Sequence, residues 1–196
     1  MDNFQIKRLA VIMAMGSGMA ASMPVMADTF STTATVSNTI TLTETTPLNF
    51  GSLFAIVDPD DDDTTLASVT ISPAGGMTTG AATDCGVGKV SNIVPLGGHS
   101  AGQLDVTGAA AFTALTVTSG AGLVDLVHSS GSPTAAIFTL DTITTNPATT
   151  TTGLTDASGN LTITVGGTIS AVQQGSYSSG YLDGTYTGSY DVSVSY

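Results

Sequence analysis

TFSTTATVSNTITLTE, residues Thr29 to Glu44, decides the fold class. Phe30, Ala34, Val36, Ile40 and Leu42 all fall on even positions, and every odd position from Thr29 to Thr43 is Thr or Ser. Apolar residues recurring with a period of two mark a strand with one buried face. At about 3.3 Å per residue this strand would run roughly 50 Å, against roughly 17–20 Å for an ordinary one, so a small sandwich does not hold it straight. Either it bends and changes sheet, or its first half leaves the domain and completes a neighbour. Asn38 interrupts the apolar face and marks the division.

Upstream, MDNFQIKRLAVIMAMGSGMAASMPVMA places Lys7 and Arg8 before an apolar run, with Val25 and Ala27 three and one positions before a cleavage site. This is the pattern of a secretory signal peptide removed after Ala27. The run from Leu9 to Ala21 is shorter than the ~20 residues a bilayer needs and is broken by Gly16 and Gly18, so no membrane insertion is expected. Cys85 lies far from the cleavage site, which excludes a lipid-modified N-terminal cysteine. The expected organisation is a signal peptide over 1–27, an N-terminal extension over 28–37 and one domain over 38–196. The mature chain is expected to be soluble and to pass through the periplasm to the cell surface or the medium.

The 196-residue chain carries 15 acidic residues and 3 Lys or Arg, for a net charge of −12. Once Lys7, Arg8 and Asp2 leave with the signal, Lys89 is the sole strong base of the mature chain. Such a surface repels nucleic acid and anionic lipid. Most polarity comes from Thr, Ser and Gly, which suits a protein that packs against copies of itself outside the cell and is also compatible with a monomeric secreted module. A single cysteine permits no internal disulfide, so stability must come from the core or a neighbour. The mature length suits one domain burying about 70% of its extended-chain surface.

Along the chain, the apolar run 47–57 opens at Pro47 and contains Gly51, where a bulge or bend is expected. Residues 66–72 form a β-branched strand, and 73–88, rich in Gly, Ala and Thr, reads as a long loop. Residues 90–96 and 103–108 are short strands separated by a glycine turn. Residues 112–119 and 123–129 look like a hairpin through Gly120 and Gly122. Strands follow at 137–143, at 161–170 with Leu161, Ile163 and Val165 alternating, and at 185–196 with Tyr186, Tyr190, Val192, Val194 and Tyr196 on one face. No window of the mature chain shows helical spacing. The prediction is an all-β, antiparallel, immunoglobulin-like sandwich with an N-terminal extended strand, a closed barrel being the alternative.

Candidate chemistry is sparse. GHSAG, Gly98 to Gly102, matches the serine-hydrolase pattern, but that motif needs a strand-to-helix turn and a base from elsewhere. His99 is adjacent to Ser100, and His128, with Asp125 nearby, sits in a predicted hairpin, so Ser100 is read as a turn residue and no enzymatic activity is expected. DPDDDD, Asp58 to Asp63, makes Asp58, Asp60 and Asp62 candidate calcium ligands. Without alternating spacing or a glycine bend the run reads as a solvated acidic loop, and no cofactor is expected. Cys85 and the two histidines have no recognised metal spacing. Tyr177, Tyr181, Tyr186, Tyr190 and Tyr196 would serve a sugar-binding face, but their crowding fits core and cross-strand packing better.

PLNFGSL, QLDVTGAAAF, LTITVGGTIS and the closing GTYTGSYDVSVSY together resemble a bacterial exported family catalogued as domain of unknown function 4402. The most specific parts are a VGGT turn at Val165 to Thr168 and the Gly184, Tyr186, Gly188, Tyr190 pattern before Tyr196. The resemblance implies a small secreted β-sandwich with no enzymatic activity, and a layout similar to fimbrial subunits. The order of signal, alternating extension, sandwich and closing aromatic strand also resembles the pilins assembled by a chaperone and usher.

Two functions follow as expectations. In one the chain is the structural subunit of an extracellular fibre, a homopolymer held by strand exchange. Phe30, Ala34 and Val36 are inserted into a neighbour there, and Ile40 and Leu42 stay as the subunit's own first strand. A periplasmic chaperone and an outer-membrane assembly protein are its implied partners. In the other the chain is a monomeric secreted binding module, adhesin-like and carbohydrate-binding, with an intramolecular first strand.

Overall fold

The computed structural model describes Thr33, residues 39–58, 63–84, 90–120, 123–149 and 151–173, Gly175, Tyr177, and residues 179–196. The signal peptide, Phe30, Ala34, Val36, Asp60, Asp62, Cys85 and Lys89 lie outside the described residues. Among the described residues there is no α-helix, and every strand pair is antiparallel, giving the sandwich that the period-two pattern predicts.

Beyond the alternating stretch, which is described without a gap only from Thr39 on, the chain bends at Gly51. β1 (Thr41–Thr46) pairs β8 (Gly102–Thr107), and the same two stretches of chain continue as β2 (Ser52–Ile56) and β7 (Asn92–Gly97). The register runs from Thr41 opposite Thr107, through a bridge between Asn49 and Ser100, to Ile56 opposite Asn92. It is one two-stranded ribbon, folded at Gly51 and at Gly97 and Gly98. The glycines between β7 and β8 therefore bend a ribbon rather than reverse the chain, which corrects the expected turn.

β13 (Leu161–Ser170) organises the larger sheet. One of its edges pairs β11 (Phe138–Asn146) along most of its length. The other pairs β8 from Leu161 to Val165, then β4 (Ser68–Ile71) from Gly167 to Ser170. A Cβ on Gly166 would overlap the Ile71 carbonyl oxygen, so this glycine lets a second neighbour take over the edge. Val165 to Thr168, expected as a turn, is thus the mid-strand fork of the sheet. β11 continues to β10 (Val124–His128) and then to β14 (Tyr186–Thr187). A smaller sheet has the order β12 (Thr152–Leu154), β9 (Ala114–Ser119), β15 (Val192–Ser195).

Three further expectations change. β5 (Met77–Gly80) and β6 (Thr83–Asp84) lie in the expected long loop; β5 pairs only β4, so its Thr78, Thr79 and Gly80 are exposed and leave no apolar alternation to read. β9 and β10 belong to different sheets and do not pair, so they are not the expected hairpin. The last strand divides, β14 joining β10 and β15 joining β9.

The core lies in two clusters. Val69, Ile93, Phe138, Leu140 and Ile169 form one, and Leu104, Val106, Leu115, Val117, Ile163 and Val165 the other. Ile143 and Tyr190 pack against both. Ile40, just before β1, and Leu42, within it, are half-buried against the second cluster.

Candidate functional site

A cavity of about 860 Å³ opens on the first cluster. Its floor is alternate or single side chains from three strands: Leu126 on β10, Phe138 and Leu140 on β11, and Ile169 on β13. Its walls are different in kind. One is the unbroken run Pro47 to Ala55, and the other the unbroken run Tyr181 to Gly188. A sheet face presents alternate residues to a cavity, whereas a strand edge presents consecutive ones. The first wall thus includes the edge of β2 from Ser52 to Ala55, and the second includes the two residues of β14, the rest of each run lying outside the strands. β2 pairs only β7, and β14 pairs only β10, so each has a side not bonded to any strand among the described residues.

The size of the gap is informative. A strand within a sandwich occupies about 160 Å³ per residue, from roughly 4.8 Å between strands, 10 Å between sheets and 3.3 Å of rise. The cavity's volume is thus that of about five residues of strand, the length of β2 itself.

The second wall is fastened by aromatic packing. Tyr181 stacks on Phe138 at 4.3 Å between centroids, and Tyr186 meets Phe138 edge-on at 5.1 Å. The Tyr181 hydroxyl accepts from the Val172 amide at 3.1 Å, and the Tyr186 hydroxyl accepts from the Leu182 amide at 2.8 Å. Burial pushes both phenols above the ordinary tyrosine range. His128, at the end of β10, donates from Nε2 to the Asp183 carbonyl at 3.0 Å, while Nδ1 faces Ser130 Oγ at 2.7 Å. Its partners are Ser130 and the wall, and not Asp125. Tyr181, Tyr186 and Tyr190 thus pack against the core, while Tyr196 is 58% exposed.

Tyr190 closes one end of the groove. Burial raises its phenol first, and the Glu44 carboxylate raises it further. Its hydroxyl is buried without a hydrogen bond of ordinary geometry, with the Glu44 carboxylate and the Leu48 amide as polar neighbours.

Of the other sequence candidates, Ser100 exchanges two backbone hydrogen bonds with Asn49, and His99 Nδ1 is buried without a partner. Gly98 to Gly102 form part of the ribbon and not a strand-to-helix elbow. The acidic run departs from a solvated loop at both ends, because Asp58 is 0% exposed and Asp63 8%. Backbone donors hold them: the Asp63 amide donates to Asp58 Oδ2 at 2.9 Å, and the Ser91 amide to Asp63 Oδ2 at 2.8 Å. Among the described residues no cluster of three metal-ligating side chains occurs, and no helix is long and apolar enough to cross a membrane.

Phe30, Ala34 and Val36 were the residues expected to enter a groove; the groove itself, with Leu53 and Ala55 on its β2 wall, escaped sequence reading. Its signal was the unbroken apolar run LFAIV, which gives β2 an apolar residue on both faces.

No curated protein and no solved structure matches the chain. The family model described as Domain of unknown function (DUF4402) matches residues 40–196. The chain belongs to the DUF4402 family.

Proposed function

We propose that this protein is a structural subunit of an extracellular fibre, in which the N-terminal extension of one copy enters the groove of the next as the missing strand. The observation that carries this reading is a strand-sized cavity flanked by two free strand edges over an apolar floor. Backbone hydrogen bonds along the β2 edge would give affinity, and alternate side chains on Phe138, Leu140 and Ile169 would give register. The stretch from Phe30 to Val36 has the alternation and the length for this.

Reach favours donation between copies. Thr39 is separated from Pro47, where the groove begins, by the length of β1, roughly 26 Å at 3.3 Å per residue. Val36 and Ala34 precede Thr39 by three and five residues, which span at most about 11 and 18 Å. Both fall short of their own groove, and neither is limited in reaching a neighbour's. Each larger side chain seated would contribute about 1.5–3 kcal/mol, so dissociation would be slow. Before assembly the open groove is an aggregation hazard, which gives a periplasmic carrier its physical reason.

The test is an unboiled denaturing gel beside a boiled one, on material sheared from cells expressing the full-length chain. A ladder of multiples that boiling collapses to one band is expected, and Val36→Asp should abolish it. A single band in both lanes would sink the fibre and favour the monomeric module, whose groove would then take an extended ligand from another source. Deleting Asp28 to Ser37 separates the two again, since a fibre subunit would stay folded and lose only assembly.

A further inference from the structure

Two exposed apolar surfaces lie at opposite ends of the ribbon. At the β2–β7 end, Leu53, Ala55 and Ile93 face inward, while Phe54, Ile56, Val94 and Leu96 face outward at 54, 43, 42 and 68% exposure. Phe54 is directly opposite Val94. Strands apolar on both faces are the pattern of strands covered on both faces, and here only one face is covered. A contiguous apolar patch of this kind marks an interaction surface.

The other end is where the chain enters the domain. A Cβ on Gly108 would overlap the Thr39 carbonyl oxygen, so the first described residues of the domain lie against the turn that begins at Gly108. In that turn Phe112 has a φ of +52°, a left-handed conformation that any residue with a Cβ resists, and its side chain is 69% exposed. The turn is built to hold it. The Phe112 amide donates to the Asp156 carbonyl, Thr155 Oγ1 donates to the Ala110 carbonyl at 2.7 Å, and the Thr113 amide donates back to Thr155 Oγ1 at 2.8 Å. The Ala110 amide donates to the hydroxyl of Tyr196, and Leu154, 65% exposed, lies on β12 beside the same turn. Strain spent on displaying a phenylalanine to solvent points to a partner.

The ribbon separates the two surfaces by the register from Thr41–Thr107 to Ile56–Asn92, so they do not meet within one copy. In a head-to-tail series they do. With Val36 seated in an acceptor groove, the donor's Thr39, and with it the turn that begins at Gly108, would lie within about 11 Å of Val36 by chain length. We propose that the Phe112 turn of one copy, with Leu154 and Tyr196, docks on the outward β2–β7 face of a second copy. This contact accompanies the donated strand, and the inference rests on the strand-donation reading.

The test uses the full-length chain with Cys85→Ser, Val94→Cys and Phe112→Cys, sheared from cells, mildly oxidised, and boiled without and with reductant. Boiling removes multimers held by strands alone. The expected result is a boiled, non-reduced ladder in the double variant that reductant collapses and that neither single variant gives. An unboiled ladder with no disulfide-linked multimers would overturn the docking and leave strand donation standing. Disulfide dimers from either single variant would also overturn it, by showing a symmetric contact. Absence of any unboiled ladder in the parent chain would remove both. Phe112→Gly, which suits the left-handed backbone, should leave the monomer folded and cut multimer yield by about tenfold or more, as loss of an aromatic anchor does; an unchanged yield would overturn the docking.

Discussion

Gly51 and Gly97 meet where the ribbon folds: a Cβ on Gly51 would overlap the Gly97 carbonyl oxygen and come within 2.7 Å of the His99 amide nitrogen. Gly51 also has a φ of +76°. Its own amide donates to Asn49 Oδ1 at 2.8 Å, and Asn49 bridges to Ser100, so the fold is fixed from both strands. This fold swings β2 off the large sheet and leaves its free edge along the cavity.

Gly51→Ala should therefore cost more than backbone strain. We expect a loss of at least about 2 kcal/mol in denaturant unfolding, from strain and overlap together. Gly75 is the control: φ is +84° with nothing within 4 Å of a Cβ, so Gly75→Ala should show the strain alone, about 1 kcal/mol. Equal losses at the two positions would mean that the ribbon fold is not sterically fixed.

The wall tyrosines give the protein an alkaline limit. Burial raises the Tyr181 phenol most, and those of Tyr186 and Tyr190 shift the same way. A folded-state value above the unfolded one, near 10, favours the neutral phenol in the native state. That stability is fully present below about pH 10 and is lost as pH rises toward the folded values. Tyr181→Phe should cost about 1 kcal/mol near neutrality, because the Val172 amide loses its acceptor, yet soften the alkaline decline. Unfolding curves near pH 8 and about pH 11 test this; parallel declines in parent and variant would exclude Tyr181 as the cause.

How much of this was legible in the sequence depended on what a residue pattern encodes. Leu161, Ile163 and Val165 alternate into the core and have relative exposures of 0% at the latter two, so β13 was placed to the residue. Alternation names the buried face and not the partner, which is why β9 and β10 were paired with each other instead of with separate sheets. Gly166 looked like a turn because its reason, the approach of Ile71, comes from a strand nearly a hundred residues earlier. Asp58 and Asp63 looked solvated because charge is visible in sequence and the amides of Asp63 and Ser91 are not. The groove was invisible for the same reason, being made of two edges that sequence does not place together.

Asp63 is the support to test there. Its Oδ2 accepts from the Ser91 amide, Oδ1 is buried without a partner, and Ser91 Oγ accepts from the Ala67 amide at 2.9 Å. Asp63→Ala strands a buried N–H and should cost about 1–3 kcal/mol, with faster hydrogen exchange at the Ser91 amide. Asp63→Asn retains an oxygen acceptor and should keep that amide protected. Rapid exchange in both would mean that the carboxylate's charge, and not its acceptor geometry, holds Ser91.

Ala55 offers the sharpest test of the groove. It lies on the inward face of β2, half-buried, lining the cavity and packing against the cluster that contains Phe138 and Ile169. Enlarging a side chain in a packed core usually costs about 1–3 kcal/mol. Here the added atoms enter a cavity of about 860 Å³, so Ala55→Phe should gain part of the about 1.5–3 kcal/mol that burying a phenylalanine contributes. The monomer should melt higher, while the boiling-sensitive ladder should weaken, because the new ring occupies the donor's path. A higher melting temperature with an undiminished ladder would show that the cavity is fillable yet is not where the strand enters. A lower melting temperature would show that the space is not open to a side chain at all.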